Sequence, residues 1–262
     1  HGLKRELTAV DLIALGIGAI IGAGIFATLG TATSGGNGLP PAGPGVVVSI
    51  ALTALACGFC GLCYAEFASL VPVAGSAYTY SYATLGEIVA WIIGWDLILE
   101  YAVGNIAVAI SWAAYFRQLL LGFGIEFPAF LATDYRSTLL AAKAAAEGGV
   151  AGLSPEQAVA WQAHLHHPEL FGVPVVFNLL AALITGVITV LLVRGVKESA
   201  RVNDVIVVLK VATLVFFVAV GAFYVKPANW HPFFPGGFAG VWTGASLIFF
   251  AYIGFDAIST AA

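Results

Sequence analysis

A long apolar run that glycine keeps from staying helical constrains this chain more than any other feature. Residues 15–26 read LGIGAIIGAGIF, with glycines at 16, 18, 22 and 24. Lipid offers no hydrogen-bond partners, so a backbone inside a bilayer must satisfy its own N–H and C=O groups, and a helix does this within one segment. Glycine weakens a helix interior by about 1 kcal/mol relative to alanine. Two glycines around one small residue, Gly22-Ala23-Gly24, favour a break. With the helix starting near Ala9, Gly22 lies ~20 Å along it, near the middle of a hydrocarbon layer ~30 Å thick. An interrupted span at that depth points to a transporter binding site. The competing reading is close helix–helix packing through small residues, and this stretch alone does not separate the two.

The composition settles the environment. Of 262 residues, 60% are hydrophobic and 9% charged, and the mean hydropathy is +0.97. That balance belongs to a polytopic membrane protein, not to a soluble domain. The net charge of −4 comes with no basic patch, which leaves no nucleic-acid partner to expect. The first apolar run is too long for a cleavable signal peptide and lacks a small-residue cleavage site. The chain begins at His1, contains no methionine and stops inside an apolar segment, so it reads as a fragment of a longer protein.

Apolar periodicity and breakers predict an all-α, polytopic helical bundle forming a single transmembrane domain over residues 1–262. The expected spans are 9–34, 46–70, 87–121, 173–193, 203–224 and 239–262. Residues 71–86 are expected to be a connection whose tyrosines at 78, 80 and 82 suit the membrane–water interface. Residues 122–172 are the one long hydrophilic region, read as an extracellular loop. His164 and His167 in it are spaced for a metal on a helix, but a solvated loop is the stronger expectation. Cys57, Cys60 and Cys63 recur every third residue on an apolar helix without a nearby histidine, so they read as small packing residues and no metal is expected. Lys4, Arg5, Arg194, Lys197 and Arg201 flank span ends on one side, which by the positive-inside rule puts the N-terminus in the cytoplasm and the protein in the cell membrane.

Four ionisable residues fall inside the expected spans: Asp96, Glu100, Lys210 and Asp256. Each costs at least about 2.5–3.5 kcal/mol at a helix centre, so each is a functional candidate. Asp96 and Glu100 sit one turn apart, and Gly104 follows Glu100 by another turn on the same face. Lys210 can snorkel, act as a fixed internal cation or carry a proton. Asp256 follows a glycine near the middle of the sixth span, which repeats the oddity of the first. Paired interruptions of this kind mark inverted-repeat transporters and favour the binding-site reading.

Four segments carry a family resemblance: GxGAIIGAGIF at 16–26, VPVAGSAYTYSYATLGE at 71–87, WIIGWDLILEY at 91–101 and FFAYIGFDAISTAA at 249–262. They resemble the amino acid–polyamine–organocation superfamily, in particular the cationic amino acid transporter group and its bacterial relatives. The resemblance covers nearly the whole chain except the 126–172 loop. It implies a leucine-transporter-type 5+5 inverted repeat with broken helices 1 and 6, of which this chain holds the first repeat and the first helix of the second; the second half is missing.

It further implies that an L-amino acid binds between the breaks. Gly22 marks the break, backbone N–H groups of Ala23 and Gly24 hold the α-carboxylate, and carbonyls of Ile20, Phe250, Ala251 and Ile253 hold the α-ammonium. Glu100, with Gly104 beside it, faces the substrate side chain. Lys210 matches a lysine that replaces a sodium ion in proton-coupled relatives, and Asp256 matches a family acid near the second break. Some relatives carry Ser or Thr where Ala23 stands, so carboxylate binding would rest here on backbone alone. The expected function is transport of L-amino acids, including cationic ones, by alternating access, with protons as the coupling ion and no cofactor. The alternatives are exchange without proton coupling and a non-transporting receptor. A membrane enzyme would need a nucleophile–base set or metal cluster at membrane depth, and no histidine lies in a span.

Overall fold

The computed structural model describes residues 8–22, 24–35, 38–194, 196–254 and 256. The chain divides into two compact units, His1–Gly104 with Arg194–Ala262, and Asn105–Val193. Among the described residues, four helical stretches are long and apolar enough to cross a membrane: Ala9–Ser34, Gly43–Leu70, Glu87–Gly122 and Val202–Ala222. Two shorter apolar helices are Leu179–Arg194 and Gly237–Tyr252. Large apolar side chains such as Phe216, Phe217 and Val218 are exposed, as expected of a helix that meets lipid instead of water.

In the first unit, α1 (Ala9–Ile20) starts at a reciprocal cap. The Asp11 N–H donates to the Thr8 hydroxyl, and the Asp11 carboxylate accepts from the Thr8 N–H at 2.7 Å, which occupies donors that a helix start leaves open. After the break the chain resumes as one wide π-type turn, Gly24–Thr28, and then α2 (Leu29–Ser34). Next come α3 (Val46–Leu70), α4 (Ser76–Leu85) and the start of α5 (Glu87–Gly122). The unit ends with α9 (Val196–Ala222) and α10 (Gly237–Tyr252).

The core of this unit is built from small residues. α10 lies along α3, and a β-carbon at Gly244 would come within 2.7 Å of the Ser49 hydroxyl and 3.0 Å of Ala42. The buried Ser49 hydroxyl donates to the Val241 carbonyl at 2.7 Å, and Thr53 donates to Ser49 and Ala245 carbonyls. Close approach through small residues with hydroxyls as cross-helix donors is how helices associate where lipid supplies no hydrophobic drive.

Residues 76–85 form α4 where the sequence suggests a connection. The tyrosines there do not share one environment: Tyr80 is 5% exposed and stacks on Phe67 at 5.4 Å, whereas Tyr78 and Tyr82 stay exposed. Alternation in sequence becomes opposite faces on a helix, so one tyrosine turns inward.

In the second unit, α5 ends and α8 (Leu179–Arg194) begins, with Ala113, Leu180 and Ala181 as buried core under Trp112 and Phe116. Residues 122–172 carry more order than the loop expected there. They hold α6 (Tyr135–Gly148) and α7 (Pro155–Leu165), capped by Asp134 and by a Ser154–Gln157 box. A short antiparallel hairpin pairs β1 (Glu169–Leu170) with β2 (Val173–Pro174). The apolar stretch expected to be helical from residue 173 therefore starts its helix only at Leu179. Pro174 has no N–H for a helix ladder, and the Asn178 side chain caps the new start by accepting from the Ala181 N–H at 3.0 Å. The expected span over 239–262 likewise ends as helix at Tyr252; residues 257–262 lie outside the described residues.

Gly244→Val should lower the thermal midpoint of the detergent-solubilised protein, because it overpacks the α3–α10 contact by about 1–3 kcal/mol. Gly186→Val, at a site with open space, should leave the midpoint nearly unchanged. A second expectation concerns pH. Burial pushes the Asp134 carboxyl up, but bonds from the Ser137 side chain and backbone outweigh this and hold it below the usual carboxylate range. Its cap, worth about 1 kcal/mol, is complete above the ordinary carboxylate pKa and is lost as pH falls through the lowered one. Asp134→Ala should thus destabilise α6 at neutral pH and much less at strongly acidic pH, as read from amide exchange over 135–148.

Candidate functional site

A helix that stops inside a membrane leaves its last carbonyls without amide partners. α1 stops at Ile20, and the chain closes most of these carbonyls locally. The Ile21 N–H donates to Ile17 and the Gly22 N–H to Ile20, both at 2.9 Å, and the Ile25 N–H donates to Gly22 at 3.2 Å. Two further carbonyls are met from another helix. The Lys210 ammonium on α9 donates to the Gly18 carbonyl at 2.8 Å and to the Ile21 carbonyl at 2.7 Å. A cation at a helix C-terminus also meets the negative end of the helix dipole. Gly18 lets α9 approach: a β-carbon there would sit 2.7 Å from the Asn203 side chain and 3.2 Å from Val207. Asn203, Val207 and Lys210 share one face of α9, spaced by four and three residues.

α10 stops at Tyr252, and the chain turns at Ile253 and Gly254, whose φ of +106° suits glycine. A helix end of this kind leaves carbonyls of its last turn to be met by other groups. The two interruptions meet. A β-carbon on the buried Gly24 would collide with the backbone of Ala251, and one on Gly254 would lie 3.0 Å from Ala19. Ile20, Gly22, Gly24, Phe250, Ala251, Ile253 and Lys210 thus gather around one crossing. Ala23 lies outside the described residues.

Asp256 follows this crossing and is 5% exposed. Its carboxylate accepts from the Tyr101 hydroxyl of α5 at 2.7 Å. Glu100, one residue before Tyr101, is half-buried and within electrostatic reach of Asp256, whereas Asp96 one turn earlier is exposed. Gly104 has open space around it. Sequence reasoning missed Tyr101 and Ser76, which both reach Asp256; their signal was only that both lie in segments carrying the resemblance. Beside the crossing lies an apolar cavity of about 200 Å³. Ile20, Ile25 and Leu29 form one wall, and Ile50, Ile248 and Tyr252 the other.

Two interrupted apolar helices crossing at their breaks, with a lysine of α9 bonded to the end of one and an acid following the other, set the context for comparison with known proteins. The amino acid permease family matches residues 7–262. This chain belongs to that family. It is therefore a multi-pass membrane protein of a transporter family, not of an enzyme family. It is 49% identical to a branched-chain amino acid permease, BcaP, of Bacillus subtilis (strain 168), over 99% of this chain and 48% of the relative. It is 45% identical to a methylthioribose transporter of the same organism, over 99% and 48%. It is 37% identical to the chloroplastic cationic amino acid transporter 9 of Arabidopsis thaliana, over 99% and 40%. The chain spans about half the length of the curated relatives it matches.

Gly24→Ala should be severely disruptive, because the new methyl meets backbone instead of a movable side-chain end. Gly30→Ala, with open space around it, should be tolerated. Thermal midpoints and monodispersity of the two variants in detergent check this, and equal behaviour would mean that the breaks do not cross as tightly as described.

Proposed function

We propose that the chain forms the first part of the binding core of a secondary transporter that moves neutral, aliphatic L-amino acids across the cell membrane by alternating access. The observation that carries this reading is the crossing of the two breaks, Gly24 on Ala251 and Gly254 on Ala19. A zwitterion needs a donor-rich end and an acceptor-rich end. The start of the helix at Gly24 supplies N–H groups and positive dipole for a carboxylate. The end of α10 supplies carbonyls for an ammonium at Phe250, Ala251 and Ile253. The adjoining cavity supports an aliphatic substituent, since its named walls are Ile, Leu and Tyr side chains. The branched-chain permease among the relatives agrees with that chemistry.

A second reading rests on Glu100, whose carboxylate near the site would favour a cationic side chain, as in the cationic transporters among the relatives. Coupling to protons is supported by Lys210, an ammonium in contact with the broken helix. The remainder of the binding site would come from the second half of the same transporter. The basic residues Arg194, Lys197 and Arg201 support a cytoplasmic N-terminus.

The test is uptake of labelled leucine and arginine into proteoliposomes containing the full-length protein, with and without an inward proton gradient. Gradient-driven leucine uptake that exceeds arginine uptake, and that falls at least tenfold in Lys210→Ala, is the expected result. Arginine uptake in excess would favour the role of Glu100. Accumulation that depends only on amino acid loaded inside would mean exchange. No flux of either amino acid would overturn the reading.

A further inference from the structure

Asp256 is held from two other elements by side chains to which neither the family match nor the site described above gives a role. The Tyr101 hydroxyl donates to the carboxylate at 2.7 Å across 155 positions of sequence. The Ser76 hydroxyl, at the start of α4, lies 3.5 Å from the Asp256 backbone carbonyl across 180 positions, a long contact, and also bonds the Tyr64 hydroxyl of α3. Ser76 is 1% exposed, and its φ is +51°, a left-handed conformation that a serine rarely adopts. It follows Gly75, whose φ of +138° also departs from ordinary backbone. Strained backbone of this kind persists where the surroundings over-determine it, and it clusters at clamps and switches. α4 itself is anchored: Tyr80 packs against Tyr64 and Phe67 of α3, and Tyr78 closes on Gly94 of α5, where a β-carbon would lie 3.1 Å from its ring. The clamp therefore stands on α3, α4 and α5 together and grips the chain just past the end of α10.

We propose that Tyr101 and Ser76 are positioning residues that fix Asp256, one by its carboxylate and one by its backbone, and so set the geometry of the chain leaving the second break. Held in this way, the carboxylate is tied to α5 through Tyr101. Loss or gain of that bond links Asp256 to the orientation of α5. Among the described residues, titratable groups facing Asp256 are Tyr64 of α3 and Glu100 and Tyr101 of α5; Ser76 is a polar group from α4. The inference rests on the transport reading of the crossing, but the bond itself is testable without transport.

Infrared spectroscopy of the purified full-length protein reads the carboxyl bands directly. The band lost in Asp256→Asn is that of Asp256. In Tyr101→Phe this band should shift, because a hydroxyl donor has gone. Uptake in proteoliposomes then gives a pH profile. Asp256→Asn should flatten it, Tyr101→Phe should displace it by half a pH unit or more, and the double variant should behave like Asp256→Asn alone. Ser76→Gly separates strain from function: glycine accepts the left-handed φ, so the thermal midpoint should hold or rise, while the pH profile should still move. An unmoved Asp256 band in Tyr101→Phe would overturn the clamp. A moved band with an unchanged pH profile in both Tyr101→Phe and Ser76→Gly would overturn the positioning role and leave a structural bond. Absent uptake in the wild type would overturn the transport reading and the positioning role that rests on it, while the band would still decide the bond.

Discussion

The ammonium of Lys210 on the carbonyls of Gly18 and Ile21 is the contact on which the first unit depends. An interrupted helix at membrane depth is unstable unless something answers its open acceptors, and water is not available there. Each charge-assisted bond contributes on the order of 1.5–3 kcal/mol net, and leaving a buried acceptor unmet costs a similar amount. The lysine also has a cost of its own, since a cation in a bilayer is expensive without partners. The broken helix and the lysine thus solve each other's problem. α1 can stop at Ile20 because Lys210 is there, and Lys210 can sit in α9 because α1 stops.

From that contact the rest of the unit follows through size. Once α1 ends, the chain must cross α10 closely enough for two backbones to touch, and only glycine at 24 permits it. α10 is held in turn against α3 by Gly244 on Ser49 and Ala42, with Ser49 and Thr53 hydroxyls satisfying carbonyls across the contact. Acidic Asp256 then leaves the crossing toward α4 and α5. Among the described residues, polar groups around the crossing bind backbone as well as one another.

Much of this was legible in the sequence, for physical reasons that differ between residues. The glycines at 22 and 24 pointed to a break only together with the glycine and acid of the sixth span, because close packing through small residues explains the first cluster equally well. Lys210 and Asp256 stood out because charge is costly in an apolar segment. The partners of those charges were not legible. Nothing in the pattern around Tyr101 distinguishes a tyrosine that binds Asp256 from one that anchors at an interface. Ser76 stands apart only by its dihedral angle and its burial. The helices over 135–148 and 155–165 were hidden by a polar composition that suits loops and solvated helices equally, although Asp134 and Ser154 stood at cap positions. Residues 173–178 were apolar enough to join the next span, and only Pro174 and Asn178 argued for a later start.

Amide hydrogen exchange over residues 17–25 of the full-length protein, wild type against Lys210→Met, is the most direct measurement of the central contact. The thioether keeps the length and apolar stem of lysine and removes the donors. The expected result is exchange accelerated at least tenfold across 17–25 with little change over 46–70 of α3. Unchanged exchange at the break would contradict the account, because it would mean that α1 ends where it does without the lysine.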